Sequence, residues 1–204
     1  MSERFEIRNK YERARTGKFV TQHGSIETPA FMPVATQGSV KSLSSDDLVD
    51  LDVSIILSNT YHLMLRPGIK TISKLGGLHK FMNWDLPILT DSGGFQTFSL
   101  SKLVEVSEEG VLFKSHIDGK EIFMSPELAL EHQRDLGVDI AMLLDHCTSS
   151  QSDYLQIKVA MQRTHNWAIR SKTVEMPTSQ SVFAIVQGGT YQDLRRESAT
   201  FLKD

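Results

Sequence analysis

Cysteine is almost missing from this sequence: Cys147 is the only one in 204 residues. A single thiol excludes an internal disulfide, and four zinc ligands would have to come from histidines and carboxylates scattered without metal-type spacing. No structural metal is expected in this chain. Long hydrophobic runs are missing too. No stretch approaches the roughly 18 apolar residues of a membrane helix, and the opening MSERFEIRNKYERAR lacks the apolar core of a secretory signal. The expectation is a cytoplasmic protein without a membrane partner. Nor is there a basic excess, since the formal net charge is -3. Proteins that hold nucleic acid unaided usually carry a basic footprint that neutralises phosphates, so RNA binding by this chain alone should be weak. Arg4, Arg8, Lys10, Arg13, Arg15 and Lys18 do make the first segment basic. Such clusters are more often solvated surface than phosphate contacts.

With 40% hydrophobic and 23% charged residues, the composition is that of one globular domain, read here as residues 1–204. No repeat, linker or low-complexity stretch divides it. KFVTQHGSIETP reads as an N-terminal β-hairpin turning at His-Gly-Ser. FMPVAT (31–36) reads as a buried strand, followed by a helix opened by Ser44 or Ser45 with Asp46 and Asp47 in its first turn. The same grammar then recurs, as a short apolar run ending in a polar residue and followed by a helical stretch. The runs are VSIILSN (53–59), LPILTD (86–91), IAMLLD (140–145) and VFAIVQ (182–187). Helices are expected over 127–137, over 152–172 and from about Tyr191. Between Leu103 and Met124 the alternation of EVSEEGVLFKSHIDGKEIFM reads as an inserted antiparallel β segment.

Apolar runs of this length alternating with helices indicate an α/β fold with a parallel sheet, either a TIM-type barrel or a doubly wound sheet. The doubly wound dinucleotide fold needs G-x-G-x-x-G after its first strand, and that motif is absent. Barrel geometry would direct Asn59, Asp91, Asp145 and Gln187 to one mouth. Two carboxylates and two amides there suit a purine-like edge, because carboxylates accept from ring and exocyclic N–H groups and an amide donates to a carbonyl. Ser92-Gly93-Gly94 and Gly188-Gly189 let backbone come close to a ligand, and Phe95 offers a stacking ring. Each also has a structural role available. Asp91 and Asp145 can cap turns, Gln187 can satisfy buried backbone, Asn59 can cap a helix, and Phe95 can be core. His62, His116 and His165, taken singly, are more often structural than catalytic. The convergence of four polar strand ends carries the functional reading.

LSNTYHLMLRPG, FMNWDLPILTDSGGFQTFSL, the tetrapeptide DHCT and FAIVQGGTYQDLR resemble the signature segments of tRNA-guanine transglycosylases, also called queuine tRNA-ribosyltransferases, with a bacterial flavour. RARTGKFVTQHGSIETPAFMPVATQGSVKSLS resembles that family as well. The resemblance implies an enzyme of the queuosine pathway that replaces guanine at the wobble position of tRNA by a 7-deazaguanine base. It implies that Asp91 is the acid/base carboxylate, that Asp145 and Gln187 grip the base edge with Ser92 and Gly188 close by, that Phe95 stacks on the base, and that Asn59 and Gln96 support the site.

Two departures from the family pattern stand out. His146 occupies the place of the usual glutamate in Asp-Glu-Cys-Thr. The family's ribose-attacking aspartate and its zinc site of three cysteines and a histidine lie beyond the segment matching FAIVQGGTYQDLR and have no counterpart here, and neither Asp193 nor Asp204 suits the nucleophile's role. The chain is therefore expected to supply about five of eight barrel strands, with no cofactor of its own. It would work with a complementary C-terminal half or as a homo-oligomer. Its alternatives are a non-catalytic binding or assembly partner and an inactive remnant.

Overall fold

The computed structural model describes residues 4–100, 104–149 and 151–203. Leu103 and Asp204, which entered the sequence reading, lie outside the described residues. The chain opens with an antiparallel sheet of β1 (Phe5–Tyr11), β2 (Ala14–Thr21) and β3 (Gly24–Thr28). The expected hairpin is present as β2–β3, but it is two thirds of a sheet. Phe5-Glu6-Ile7 pairs with Gly17-Lys18-Phe19, and of the basic first segment Arg8 and Lys10 lie on that added strand while Arg15 and Lys18 lie on β2.

A parallel sheet follows, made of β4 (Val34–Ala35), β5 (Ile56–Asn59), β6 (Ile88–Asp91), β10 (Ile140–Met142) and β11 (Ser181–Phe183), in chain order across the sheet. The fold is thus α/β, and the five-stranded sheet is open, with β4 and β11 at its edges. All five strands are shorter than the expected apolar runs, and β4, β10 and β11 end before the polar residues or flanks assigned to them. Pro33 lacks the N–H that a ladder needs, so only Val34–Ala35 of FMPVAT pairs. After Met142 and Phe183 the chain leaves the ladder, so Asp145 and Gln187 stand on loops rather than on strand ends.

α1 (Ser45–Asp50) follows β4 and is opened by Ser44 in a capping box with Asp47. α2 (Thr60–Leu65), α3 (Ile69–Lys74) and α4 (Leu78–Met82) fill the β5–β6 connection, and Gly68 and Gly77 start the second and third of these. α5 (Gly94–Leu100) follows β6, and the inserted antiparallel sheet is β7 (Val104–Val106), β8 (Val111–Lys114) and β9 (Glu121–Met124). α6 (Pro126–Leu136) starts at Ser125-Pro126 and stops at Gly137, whose φ of 71° allows the left-handed cap. α7 (Tyr154–Ser171) is opened by an Asp153–Gln156 capping box, and α8 is Gln192–Lys203.

Alternation along the strands sorts two cores. Ile56, Ile88 and Ala141 face the helices and pack with Leu63, Ile72, Leu78, Leu130 and Leu136. Ile55, Leu89 and Ile140 face the other way and meet Ile26 and Phe19 of the N-terminal sheet. The inserted sheet packs Val111, Phe113 and Met124 against Ala129 and Trp167. Gln133 of α6 donates to Ala129 O (2.9 Å) and Met142 O (2.8 Å), and accepts from Met142 N (2.7 Å) and Thr90 Oγ (3.0 Å). It satisfies the backbone of β10 where the pairing with β6, recorded at Ile140 and Ala141, ends.

Candidate active site

Asn59 and Asp91 end β5 and β6 as directly paired residues, so their side chains leave the sheet at the same level. The Asp91 carboxylate accepts from Thr60 N (3.1 Å) and Gly93 N (3.1 Å) on one oxygen, and from Gln96 Nε2 (2.9 Å) and Asn59 Nδ2 on the other. Burial raises its pKa above the ordinary carboxylate value, although all four donors act to lower it. Asn59 and Gln96 thus lie behind Asp91 as supports. Neither lines the cavity described next.

That cavity, of about 470 Å³, is bordered by Asp91, Ser92, Phe95, Asp145, Gln187 and Arg195, among other residues. Asp145 is buried, and its carboxylate accepts from Gln187 Nε2 (3.0 Å) and from the Cys147 thiol (3.6 Å). Burial again raises the pKa, against those two donors. The Cys147 thiol is in turn pushed up to about 12, first by burial and then by the Asp145 charge beside it. Phe95 is 60% exposed, which leaves a ring face free at the cavity rim.

The loops that carry these groups are pinned from behind. The backbone N–H of Gln187 donates to Ser198 Oγ (2.9 Å) of α8, which also meets His165 Nε2 (3.0 Å) of α7. His146 N donates to Thr164 Oγ (2.9 Å), and Arg163 donates to His146 Nδ1 (3.0 Å) while pairing with Glu108 (2.8 Å). Burial, then the Arg163 charge, lowers the His146 pKa to about 4, so the imidazole stands neutral and serves as an acceptor. A Cβ at Gly94 would meet Asp145 O at 2.8 Å, so glycine is what lets the loop after β6 close on Asp145. Gly188, at φ 109°, does not border the cavity; a Cβ there would meet Arg195 N at 2.6 Å. Its role is to let the loop lie on the start of α8.

Sequence reasoning singled out Asp91, Asp145, Gln187, Ser92 and Phe95, and the structure brings these together around one cavity. It passed over Arg195, although that residue closes the segment FAIVQGGTYQDLR and supplies the cavity's positive charge. A larger cavity, of about 740 Å³, lies between α6, α7, β11 and α8, but among the described residues no carboxylate borders it.

Residues 10–204 match the model of the family described as queuine tRNA-ribosyltransferase. The chain belongs to that family. It is 53% identical over 199 residues to the queuine tRNA-ribosyltransferase of Acetivibrio thermocellus, covering 96% of this chain and 53% of that protein. For the enzyme of the same name from Halothermothrix orenii the identity is 54% over 192 residues, covering 94% of this chain and 52% of the relative. For that of Thermotoga maritima it is 52% over 195 residues, with 96% and 53% covered. The chain spans about half the length of the queuine tRNA-ribosyltransferases it matches. A zinc site of three cysteines and a histidine does not fit the residues present, because the one cysteine is a half-buried thiol whose raised pKa keeps it protonated and bonded to Asp145. No step is routed through such a metal.

Proposed function

We propose that this chain is the base-recognising part of a tRNA-guanine transglycosylase, and that its five parallel strands are an arc of a (β/α) barrel. In this reading Asp145 accepts from the N–H groups of a guanine or 7-deazaguanine edge. The Gln187 amide turns from Asp145 to the ring carbonyl, and Phe95 stacks on the base. Asp91 exchanges protons with the leaving and entering bases, its burial keeping the pKa high enough for that task. Arg195 offers a charge for a phosphate or ribose oxygen at the rim. Ser92 and the backbone near Gly188 frame the site. The partners are then tRNA and a guanine-like base, and the setting is the cytoplasm.

The observation that carries this reading is the convergence of two carboxylates, an amide and an exposed aromatic ring on one cavity. Its test is calorimetric titration of the chain with guanine and with adenine. Guanine should bind and adenine should not, and Asp145→Asn should weaken guanine by about 1–3 kcal/mol, the worth of one well-made base contact. Equal binding of the two purines, or no effect of the substitution, would refute base recognition by Asp145.

A second reading is favoured by one observation. Only two carboxylates border the cavity among the described residues, and Asp91 already accepts four hydrogen bonds. A carboxylate so engaged is poorly placed for in-line attack on a ribose carbon as well. The chain would then read the base while a complementary polypeptide or second copy supplies the nucleophile. Tritiated guanine incorporation into tRNA, by this chain with and without the C-terminal half of a relative, separates the readings.

A further inference from the structure

At the opposite end of β10 from Asp145, three residues far apart in sequence meet. Asp139, the residue before the strand, is buried, with only 1% of its side chain exposed. His23, in the turn between β2 and β3, places Nδ1 2.9 Å from its Oδ1. His79 of α4 places Nε2 3.1 Å from its Oδ2. The two imidazoles are stacked, with centroids 3.6 Å apart and planes 21° apart, so their nitrogen-bearing edges are presented side by side. One ring nitrogen from each histidine and one carboxylate oxygen all lie within 4.8 Å of one another.

We propose that His23, His79 and Asp139 form a binding site for a divalent transition ion of the Zn²⁺ class. Three neutral or anionic nitrogen and oxygen donors of this kind suit Zn²⁺ and its neighbours, whereas Ca²⁺ and Mg²⁺ prefer all-oxygen shells. Metal–ligand bonds of about 2.0–2.1 Å in a tetrahedron require donor–donor edges of roughly 3.3–3.5 Å. The 2.9 and 3.1 Å contacts run to different oxygens, Oδ1 and Oδ2, so an ion held by one of them draws the three ligand atoms in from their present spread of within 4.8 Å. The carboxylate is already oriented from behind, since Ile88 N donates to Oδ2 (2.9 Å) and His23 N to Oδ1 (3.3 Å), so both oxygens keep a backbone donor when the metal replaces the imidazole protons.

A fourth position is provided for as well. The three residues border a cavity of about 400 Å³, and Gln180, on the same wall, has an Oε1 that is buried without a partner among the described residues. Its amide nitrogen faces Gln133 O (3.3 Å) and Arg134 O (3.5 Å), which fixes the oxygen as the free end. In the proposed site that oxygen, on the wall of the same cavity, is the acceptor for a metal-bound water. The ion would join the N-terminal sheet, α4 and the start of β10, three segments held together there by a carboxylate and two rings. It lies away from the base cavity, so its presence is read by binding rather than by exchange activity.

The geometry also dictates a signature. Without metal, His23 must carry its proton on Nδ1 and His79 on Nε2 to donate to Asp139; with metal those nitrogens are ligands, and each proton moves to the other nitrogen. The experiment is titration of the chelator-treated chain with Zn²⁺ in competition with a chromophoric chelator, together with nitrogen-15 NMR of the imidazoles. One Zn²⁺ per chain should bind, and both tautomers should switch. Co²⁺ should give the visible absorption of a four-coordinate site. His23→Gln, which keeps a hydrogen-bond donor toward Asp139 and so preserves the fold, should weaken Zn²⁺ at least about 100-fold, beyond the 10–100-fold typical of residues one step removed from a metal. No stoichiometric binding, binding that survives His23→Gln, or unchanged tautomers at saturation would each overturn the proposal.

Discussion

Replacing Gln133 by leucine is the sharpest available test of how the sheet is held open around the site. The side chain is fully buried, and all four of its hydrogen-bonding positions are used, two of them on the backbone of Met142. Leucine fills a similar volume but leaves Met142 N–H, Met142 C=O and the Thr90 hydroxyl without partners in a dry interior. Each unsatisfied buried group costs about 1–3 kcal/mol. The Thr90 hydroxyl can turn elsewhere, and Ala129 O retains its place in α6, so the two Met142 groups dominate and the expected loss is about 3–5 kcal/mol. Against a typical total of about 5–15 kcal/mol, that is a large fraction. Urea unfolding of Gln133→Leu and Gln133→Glu should show the cost, with Glu falling between Leu and the parent because it keeps the acceptor but loses the two amide donors. A Gln133→Leu midpoint within about 1 kcal/mol of the parent would mean that β10 does not depend on this amide, and the account of how the loop to Asp145 is launched would fail.

Gly94→Ala should cost about 1–3 kcal/mol of stability, because its methyl meets backbone at 2.8 Å, and guanine binding should fall further than stability does as Asp145 is displaced; unaltered guanine affinity would show that the loop has room. Guanine affinity should rise with pH through the raised pKa of Asp145 and then level off. The base's N–H groups favour the carboxylate, so below that pKa binding must first release a proton; affinity flat from pH 4 to 8 by calorimetry would contradict it. The neutral His146 has a folded pKa of about 4, below its unfolded value near 6.5. The unfolded chain therefore binds more protons in that window, and stability is present above pH 6.5 and lost as pH falls toward 4. After discounting for partial exposure this is worth about 2 kcal/mol. His146→Gln should flatten that part of the urea-midpoint profile, and a profile parallel to the parent's would place the proton elsewhere.

How much of this could be read from the sequence depends on whether local physics or long-range meeting fixes each residue. ILTD at 88–91 is apolar, too short for a helix and followed by Ser-Gly-Gly, so β6 and the place of Asp91 follow from local pattern. The cap at Ser44 was equally legible, since the donor it satisfies is a neighbour in the chain. The ladder's end was not. In IAMLLD and VFAIVQ nothing local marks where pairing stops, because Leu143, Leu144, Ile185 and Val186 are as apolar as the residues that pair. For β10 the stop falls where Gln133 of α6 takes both backbone groups of Met142. The three-stranded N-terminal sheet was missed for a related reason, since Arg, Lys and Glu on β1 hide the one side that pairs.

The histidine–aspartate cluster marks the limit of reading by spacing. His79 and His23 stand 60 and 116 residues from Asp139, in a turn, a short helix and the residue before a strand, so no metal-type interval exists to be found. Spacing rules work where ligands share one helix or one loop, because there the backbone fixes their separation. Where a parallel sheet does that work, the informative quantity is the end of the sheet on which each residue falls. Asp145 follows β10 and Asp139 precedes it, so one short strand separates the base-facing carboxylate from the buried one between two imidazoles. The expectation that this chain holds no metal rested on counting cysteines and intervals, and neither count samples what the sheet brings together at its lower edge.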